Sequence, residues 1–292
     1  MNNIATVDPF ILDPKNELYN QLSSNPPEWW NTLKQDSDLY IEVRKKNVVE
    51  VYYQGGTLAK LVFDKKTKQI TPIAHPKYLG HKDNGDLHYY KNDNKHTPIY
   101  QDCSKWLTNG IEKMKENIED NYTEKHKHIE EISEKKIQGQ LIVNNRENYL
   151  DSEFQHRLYA GERKQIRIDL VRIENNQIVF EELKKINDSR LHTTKAVGPE
   201  ILQQMNEYDV FITQNQSSLL EYYKKLIKIK EKLGLPLPVI NDINTLIINP
   251  NPVLIIANNY DDKKGNKIRE TRRSQIEQTL LDKAINYRFF DI

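Results

Sequence analysis

The stretch QIRIDLVRIENNQIVFEELKK, residues 165–185, determines how the C-terminal half of the chain is expected to fold. Residues 165–173 and 177–185 are both rich in Ile, Val, Leu and Phe, a composition that favours β-strands. The three residues between them, Glu-Asn-Asn, are polar and typical of a short turn. The sequence therefore predicts a hairpin with an apolar body.

Three charged side chains interrupt this apolar hairpin. Asp169 lies in the first strand, and Glu182 and Lys184 lie near the end of the second. A strand alternates its faces, so Glu182 and Lys184 are expected on one side, with Asp169 close to both. Two carboxylates beside an ammonium group are costly to bury, but a hard divalent cation such as Mg²⁺ takes oxygen ligands. A neighbouring lysine can then orient an attacking water molecule, so the pattern predicts a metal-dependent hydrolytic site.

These residues resemble the PD-(D/E)xK nuclease superfamily, in which an Asp is followed at some distance by Glu-x-Lys. Here Asp169 precedes Glu182-Leu183-Lys184, and Ile168 stands where the family name has Pro. The resemblance covers roughly residues 146–260. It implies an α/β (α+β) fold with a restriction-endonuclease-like αβββαβ core around a mixed central sheet. It also implies phosphodiester hydrolysis with Mg²⁺ or Mn²⁺ as cofactor, Asp169 and Glu182 as metal ligands, and Lys184 serving the water nucleophile.

Two flanking motifs extend the resemblance. A helix predicted over about 146–160 carries Glu153, which the resemblance implies as a further metal ligand and catalytic residue, with Glu147 behind it. The helix after the hairpin carries Gln204 and Tyr208, matching the Gln-x-x-x-Tyr motif of RecB-like members. That motif implies a catalytic role for Gln204, with Gln203 as the alternate, and a place near DNA for Tyr208. The family strand before the Asp strand is not evident and is expected near residues 158–160.

Several basic residues suggest where nucleic acid would bind. Arg190 follows the Lys184 strand closely and could contact a phosphate. Lys267, Arg272 and Arg273 belong to a basic cluster at the start of the last predicted helix, which suits contact with a nucleic-acid backbone. Each of these side chains could instead be merely solvated. The expected partner is DNA, with RNA left open.

The rest of the chain divides by composition. Residues 1–100 are predicted to form a β-rich module of unknown role, with an irregular arm over 1–36 anchored by Trp29 and Trp30, and a β-meander over 38–74. Residues 101–140 read as a charged helical connector, and 141–292 as the nuclease-like domain. Within that domain the remaining expectations are helices at 199–213 and 216–233, a buried strand at 253–257, and a closing helix at 267–285.

Bulk properties limit the possible functions. The net charge of the 292 residues is +1, so any nucleic-acid surface must be a local patch. One cysteine permits no disulfide within the chain and no Cys-based zinc site, which fits a reducing compartment. The start of the sequence resembles no secretory signal and no apolar run is long enough to span a bilayer, so a cytoplasmic location without membrane association is expected. Neither a P-loop nor Gly-x-Gly-x-x-Gly occurs, so no nucleotide cofactor is expected.

The expected function is therefore a metal-dependent nuclease acting on DNA, in restriction, phage defence or DNA repair, with a homodimer left open because many such nucleases cut both strands as dimers. Two alternatives remain at this stage. The chain could be a nucleic-acid- or protein-binding module that keeps the fold without catalysis. The β-rich module could also be the functional part and recognise a protein or a small ligand.

Overall fold

The computed structural model describes residues 11–81, 98–124, 132–157, 165–192, 198–258 and 266–291. The chain is a mixed α/β protein that divides into two compact units. The N-terminal unit comprises Ile11–Arg146 and Lys225–Leu237, and the C-terminal unit comprises Glu147–Lys224 and Pro238–Ile292. Over the described ranges, no helix combines the length and the apolar character needed to cross a membrane.

A five-stranded antiparallel sheet forms the body of the N-terminal unit. Its strands, in spatial order, are β1 (Leu39–Arg44), β2 (Val48–Tyr53), β3 (Gly56–Asp64), β4 (Gln69–Ala74) and β5 (Gln101–Asp102). Each of the first four pairs with the next along the chain, which confirms the meander predicted over 38–74. All of β1 except Arg44 is buried, including Glu42. In β2, Val49 and Val51 are buried between half-buried neighbours, so only the first part of β2 shows the period-two burial of a strand with one exposed face.

Five helices belong to this unit: α1 (Glu17–Ser24), α2 (Glu28–Gln35), α3 (Ser104–Asn109), α4 (Ile111–Glu124) and α5 (Glu134–Asn144). The irregular arm predicted over 1–36 is wrong for α1 and α2, and residues 1–10 lie outside the described part. Asn16 caps α1 by accepting from the Leu18 N–H, and Pro27 precedes α2. Trp29 and Trp30 are buried, as expected. The helices α3 to α5 cluster with the N-terminal unit, whereas the sequence suggested a separate connector; residues 125–131 of that connector are not described.

Close packing of α5 requires two glycines. Gly55, at the β2–β3 turn, has φ +78°, and a Cβ atom there would lie 2.3 Å from the Lys135 carbonyl oxygen. A Cβ atom on Gly139 would lie 2.7 Å from the Gly55 nitrogen. The α5 backbone therefore rests directly on the turn, which any larger side chain at either position would push away.

A mixed sheet forms the body of the C-terminal unit. Its strands are β6 (Tyr149–Arg157), β7 (Gln165–Glu174), β8 (Gln177–Lys185), β9 (Ile247–Ile248), β10 (Val253–Asn258) and β11 (Asn286–Asp291). The spatial order is β11-β10-β8-β7-β6, with β9 also pairing with β8. The β6, β7 and β8 strands are antiparallel, whereas β10 runs parallel to β8 and β11 parallel to β10. The predicted hairpin and the buried strand at 253–257 are confirmed, and Asn175 and Asn176 form the turn with positive φ.

The helical predictions for this half need three corrections. The helix predicted over 146–160 is wrong, because residues 149–157 form β6, and the strand expected near 158–160 falls outside the described residues. The two helices predicted between 199 and 233 are one helix, α6 (Glu200–Leu233), since no Gly or Pro interrupts the chain there. The last helix, α7 (Asn266–Asp282), is followed by β11, so a strand rather than a helix ends the described chain.

Candidate active site

The centre of the candidate site is a buried ion pair on β8. Glu182 and Lys184 are two residues apart on this strand, and their side chains are only 3% and 2% exposed. The Lys184 ammonium donates a hydrogen bond to the Glu182 carboxylate and a second, at 2.7 Å, to the Leu183 carbonyl oxygen. Because both groups lose their hydration, each depends on the other for its charge to remain in the interior.

Asp169 on β7 adds a second carboxylate. Its Oδ2 lies 3.7 Å from the Lys184 ammonium nitrogen and accepts a hydrogen bond from the Leu183 N–H at 2.9 Å. The Asp169 side chain is 27% exposed, so this side of the cluster faces solvent. The Lys184 ammonium is therefore surrounded by oxygens from Glu182, Leu183 and Asp169, and the side chains of the predicted triad come together.

The Gln-x-x-x-Tyr motif on α6 contacts the same carboxylate. Gln204 and Tyr208 are one helical turn apart and therefore lie on one face of α6. The Gln204 amide donates to Glu182 Oε1 and to the Tyr208 hydroxyl, both at 2.6 Å. The Tyr208 hydroxyl lies 3.0 Å from Glu182 Oε2 and also contacts the Arg167 carbonyl oxygen. Both oxygens of Glu182 are thus held by α6. The alternate, Gln203, instead donates to Glu207.

The site holds Glu182 at an electrostatic cost. Burial, together with the negative charge of Asp169, raises the pKa of Glu182 to about 8, although Lys184 and Tyr208 act in the opposite direction. Burial also raises the pKa of Tyr208, so that its hydroxyl stays neutral. A second positive charge next to Glu182 would favour its ionised form. A cation bound beside Glu182 would therefore offset the cost of ionising this buried carboxyl.

The donor atoms fit a hard divalent metal ion. The two carboxylates and the Leu183 carbonyl are oxygen ligands of the kind that Mg²⁺ and Mn²⁺ prefer. Within the described ranges, no group of three or more His, Cys, Asp or Glu side chains is arranged to hold a metal ion. A metal ion at Asp169 and Glu182 would accordingly complete its shell with water and substrate oxygens, as Mg²⁺ usually does.

Glu153 lies on β6 and not on a helix, contrary to the prediction. It falls between the register pairs Ser152–Leu170 and Phe154–Ile168, so its backbone is opposite Asp169. Its φ of 47° is left-handed, an unusual conformation that interrupts the regular strand. Glu153 does not join Asp169 and Glu182 in a three-carboxylate group. We therefore do not assign it as a metal ligand or catalytic residue.

The predicted nucleic-acid residues near β8 are engaged within the protein. Tyr208 is only 4% exposed, so it positions Glu182 and is not available to contact a ligand directly. Arg190 is 39% exposed and donates to Asp188 at 2.9 Å from Nε and 2.5 Å from Nη2. Although burial acts to raise it, the pKa of Asp188 is lowered by these hydrogen bonds and by the charges of Arg190 and Lys184. Arg190 therefore lies in a loop close to the site, already paired.

The predicted basic cluster on α7 is only partly defined. Arg273 stacks over the Phe289 ring, with 4.1 Å from its guanidinium carbon to the ring centroid, and lies 3.8 Å from Glu277. Arg272 is half-buried, and its charge, after burial itself, lowers the pKa of His192 in the loop that follows β8. Lys267 is on α7, but its side chain lies outside the described part of the chain. Neither Arg272 nor Arg273 has a recorded contact with Asp169, Glu182 or Lys184 within the described part of the chain.

Sequence reasoning gave no role to Glu181, which the structure shows to be fully buried. Its carboxylate contacts Arg172 of β7, and Arg288 of β11 donates to it at 3.1 and 3.2 Å. Burial raises the pKa of Glu181 even though both arginines act to lower it. Glu181 of β8 thus connects its strand with β7 and β11, whereas the next residue, Glu182, lies in the candidate site. The pairing partner Arg288 is too distant in sequence for this division to be read from the motif.

Comparison of the chain with protein families, characterised proteins and solved structures gives no match. The evidence for function is therefore the arrangement of Asp169, Glu182, Lys184, Gln204 and Tyr208 itself.

Proposed function

We propose that the C-terminal unit is a divalent-metal-dependent nuclease that hydrolyses phosphodiester bonds, with DNA as its substrate. The observation that carries this proposal is that Lys184 and Gln204 both bind the buried carboxylate of Glu182, while Asp169 lies beside the same Lys184 ammonium. Three separate elements, β7, β8 and α6, contribute to it. A cytoplasmic role in restriction, phage defence or DNA repair fits this chemistry, but rests on the family resemblance alone.

The order of elements supports a restriction-endonuclease-like core. Within the C-terminal unit, β6, β7, β8, the first part of α6 and β10 follow in the βββαβ order that the resemblance implies, and α5, which precedes them in the chain, belongs to the N-terminal unit. The antiparallel β6-β7-β8 arrangement with β10 added in parallel makes the sheet mixed, as that core requires. Asp169 lies on β7, Glu182-Leu183-Lys184 on β8 and Gln204 and Tyr208 on the helix that follows, and this distribution supports the proposal.

Each residue has a defined task in this proposal. Asp169, Glu182 and the Leu183 carbonyl would hold Mg²⁺ or Mn²⁺, which, when bound, polarises the phosphoryl oxygen and lowers the pKa of water. Lys184 orients the water molecule and stabilises negative charge that develops at phosphorus. Gln204 and Tyr208 fix the two oxygens of Glu182. In the reaction the water oxygen bonds to phosphorus, one P–O ester bond breaks, and the leaving oxygen takes up a proton.

The test is cleavage of supercoiled plasmid and single-stranded DNA with Mg²⁺ or Mn²⁺, with RNA as a further substrate. Wild type is compared with Lys184→Ala and with the matched control Lys283→Ala, whose side chain is exposed. Metal-dependent cutting that only Lys184→Ala abolishes supports the site and the chemistry together. Equal cutting by all three proteins points to a contaminant or another site, and no cutting by wild type on any substrate contradicts the proposal.

A binding protein that keeps the fold but lacks catalysis is the second candidate. It is favoured by the absence, within the described ranges, of a third carboxylate that joins Asp169 and Glu182. Calorimetric titration with Mg²⁺ or Mn²⁺ separates the two. A catalytic site binds metal in wild type and loses that binding in Asp169→Ala, whereas a silent module shows the same weak binding in both.

A further inference from the structure

Arg167 on β7 is an exposed arginine whose guanidinium is held in place by a neutral group. With the Gln165 amide turned so that its oxygen faces Arg167, that oxygen accepts from both Nε and Nη2 at 2.5 Å. Gln165 is half-buried and lies two residues earlier on the same strand. The amide therefore restricts the conformations of the arginine side chain without cancelling its charge.

The other arginines near this site differ in this respect. Arg172, Arg190 and Arg288 each form an ion pair with a carboxylate, to Glu181, Asp188 and Glu181 respectively. None of the carboxylates in the described ranges forms an ion pair with Arg167. An oriented, uncompensated guanidinium at the surface is suited to bind an anion, because its fork of N–H donors matches the oxygens of a phosphate.

The backbone of Arg167 is tied to the candidate active site. Its carbonyl oxygen accepts from the Tyr208 hydroxyl, which also contacts the Glu182 carboxylate. Asp169 follows two residues later on β7, a separation of about 7 Å along a strand. Neighbouring phosphates of an extended nucleic-acid strand are separated by a similar distance. A phosphate bound at Arg167 would therefore lie about 7 Å along the strand from Asp169.

We propose that Arg167, oriented by Gln165, binds the nucleic-acid phosphate next to the one that is cleaved, so that the substrate strand runs along the β6–β7 hairpin. In the sequence, residues 157–167 contain four basic residues and one acidic residue, a composition that suits contact with a nucleic-acid backbone. Opposite Arg167 in the register is Gln155, also exposed. The inference rests on the proposed nuclease function and names the surface that would hold its substrate.

Binding measured without cleavage tests this surface. Fluorescence anisotropy with labelled single- and double-stranded DNA is followed over a salt series from about 50 to 200 mM, in EDTA and again with Ca²⁺. We expect Arg167→Gln to weaken binding about 3- to 10-fold and to reduce the slope of log affinity against log salt by about 1. Arg167→Lys keeps the charge and should retain the slope. Lys283→Gln, an exposed control in the same unit, should match wild type.

Gln165→Glu provides a sharper variant, because it leaves Arg167 in place. The new carboxylate would accept the same two hydrogen bonds and neutralise the guanidinium, so binding should fall as it does for Arg167→Gln. Gln165→Ala removes only the orienting group and should reduce affinity by a smaller factor, with the salt slope unchanged.

The outcomes separate this inference from the nuclease proposal. Unchanged affinity and salt slope in both Arg167→Gln and Gln165→Glu overturn the inference, even if wild type cleaves DNA. Loss of binding in these variants without any cleavage by wild type supports the inference and removes only the catalytic proposal. Failure of wild type to bind either form of DNA overturns both.

Discussion

Two buried Glu–Lys pairs in this chain look alike but do different things. Glu182 and Lys184 are 3% and 2% exposed, and Glu42 and Lys230 are 3% and 5% exposed. Glu42 belongs to β1 and Lys230 to the last part of α6, 188 residues later, so their 2.9 Å contact joins two elements of the N-terminal unit. The free-energy cost of burying these two charges is offset by the contact that they make between β1 and α6.

The pair on β8 makes no such connection. Glu182 and Lys184 are two residues apart on one strand, so their contact fastens no distant part of the chain. Instead a second carboxylate, Asp169, lies near the same ammonium, and the Gln204 amide and Tyr208 hydroxyl both turn to Glu182. A buried carboxyl with a raised pKa, surrounded by charged and polar groups from β7, β8 and α6, is typical of a functional site. The following predictions test whether the two pairs differ in this way.

The largest effect is expected on cleavage. Lys184→Met keeps the size of the side chain but removes the charge that we propose orients the water molecule, and should reduce the rate of metal-dependent DNA cleavage about 10³-fold. Lys230→Met, measured on folded protein, should keep the wild-type rate. Rates from plasmid relaxation under identical conditions provide the measurement, and equal losses in the two variants would mean that the pairs do not differ in role.

The next largest effect is expected on stability. Here Lys230→Met should be the more damaging variant, whereas Lys184→Met is the more damaging one for cleavage. Lys230→Met removes the ammonium that contacts the buried Glu42 at 2.9 Å, and should lower the free energy of unfolding by about 3–5 kcal/mol. Lys184→Met should cost less, because Glu182, whose pKa is already about 8, can take up a proton. Urea unfolding at neutral pH with a chelator checks this, and a greater loss in Lys184→Met would contradict it.

Removal of the metal ion should change thermal stability through the cluster around Glu182 and Lys184, and not through the Glu42–Lys230 pair. In wild type, Mg²⁺ or Mn²⁺ should raise the unfolding temperature, and EDTA should reverse the increase, because a ligand that binds the native state stabilises it. Asp169→Asn should weaken metal binding at least about 10-fold and reduce the increase. Glu42→Gln should lose stability in both conditions but keep the full metal-dependent increment, as measured by thermal unfolding with and without metal.

A smaller effect is expected at the support of Glu182. Tyr208→Phe removes the hydroxyl that contacts Glu182 and the Arg167 carbonyl, leaving Gln204 in place. We expect about a 10-fold loss of cleavage and a loss of about 1 kcal/mol in stability. Tyr100→Phe, at an exposed tyrosine of the N-terminal unit, is the matched control and should change neither quantity. A wild-type rate in Tyr208→Phe would remove the proposed role of the hydroxyl.

The smallest effect is expected for the half-exposed pair Asp188–Arg190. Burial acts to raise the pKa of Asp188, but hydrogen bonds from Arg190 and neighbouring positive charges lower it overall. A lowered pKa in the folded state contributes stability above the unfolded value of 3.8, and that stability is lost as the pH falls through the folded value. Asp188→Asn should therefore lower the free energy of unfolding by at most about 1 kcal/mol at pH 7, and should not change it at a pH below the folded-state pKa of Asp188. Urea unfolding as a function of pH measures the difference.

Much of the site could be predicted from sequence because its signals are local. The alternation of Glu182 and Lys184 on a strand, and the one-turn spacing of Gln204 and Tyr208 on a helix, follow from backbone geometry. The short Asn175-Asn176 turn then brings Asp169 beside Glu182. Each of these contacts joins residues that are a few positions apart or within one hairpin, so the sequence pattern is sufficient to predict it.

The elements that were not predicted depend on distant partners. Tyr149–Arg157 has neither β-branched side chains nor a regular apolar–polar alternation, and becomes a strand because it pairs with β7. Asn286–Asp291 becomes a strand by parallel pairing with β10 across α7. Arg167 was missed because its significance comes from the Tyr208 hydroxyl at its carbonyl and the Gln165 amide at its side chain. None of these contacts leaves a periodic signal.

The pairing of Glu42 with Lys230 has a consequence for how the protein is made. A ribosome adds about 5 to 20 residues per second, so the lysine is synthesised about 10 to 40 s after the glutamate that it neutralises. Until then β1 carries a carboxylate without the ammonium it faces in the finished molecule, and Lys225–Leu237 is missing from the unit to which it belongs. The N-terminal unit thus completes its fold late, and a nascent chain arrested before residue 225 should remain a substrate for chaperones and proteases.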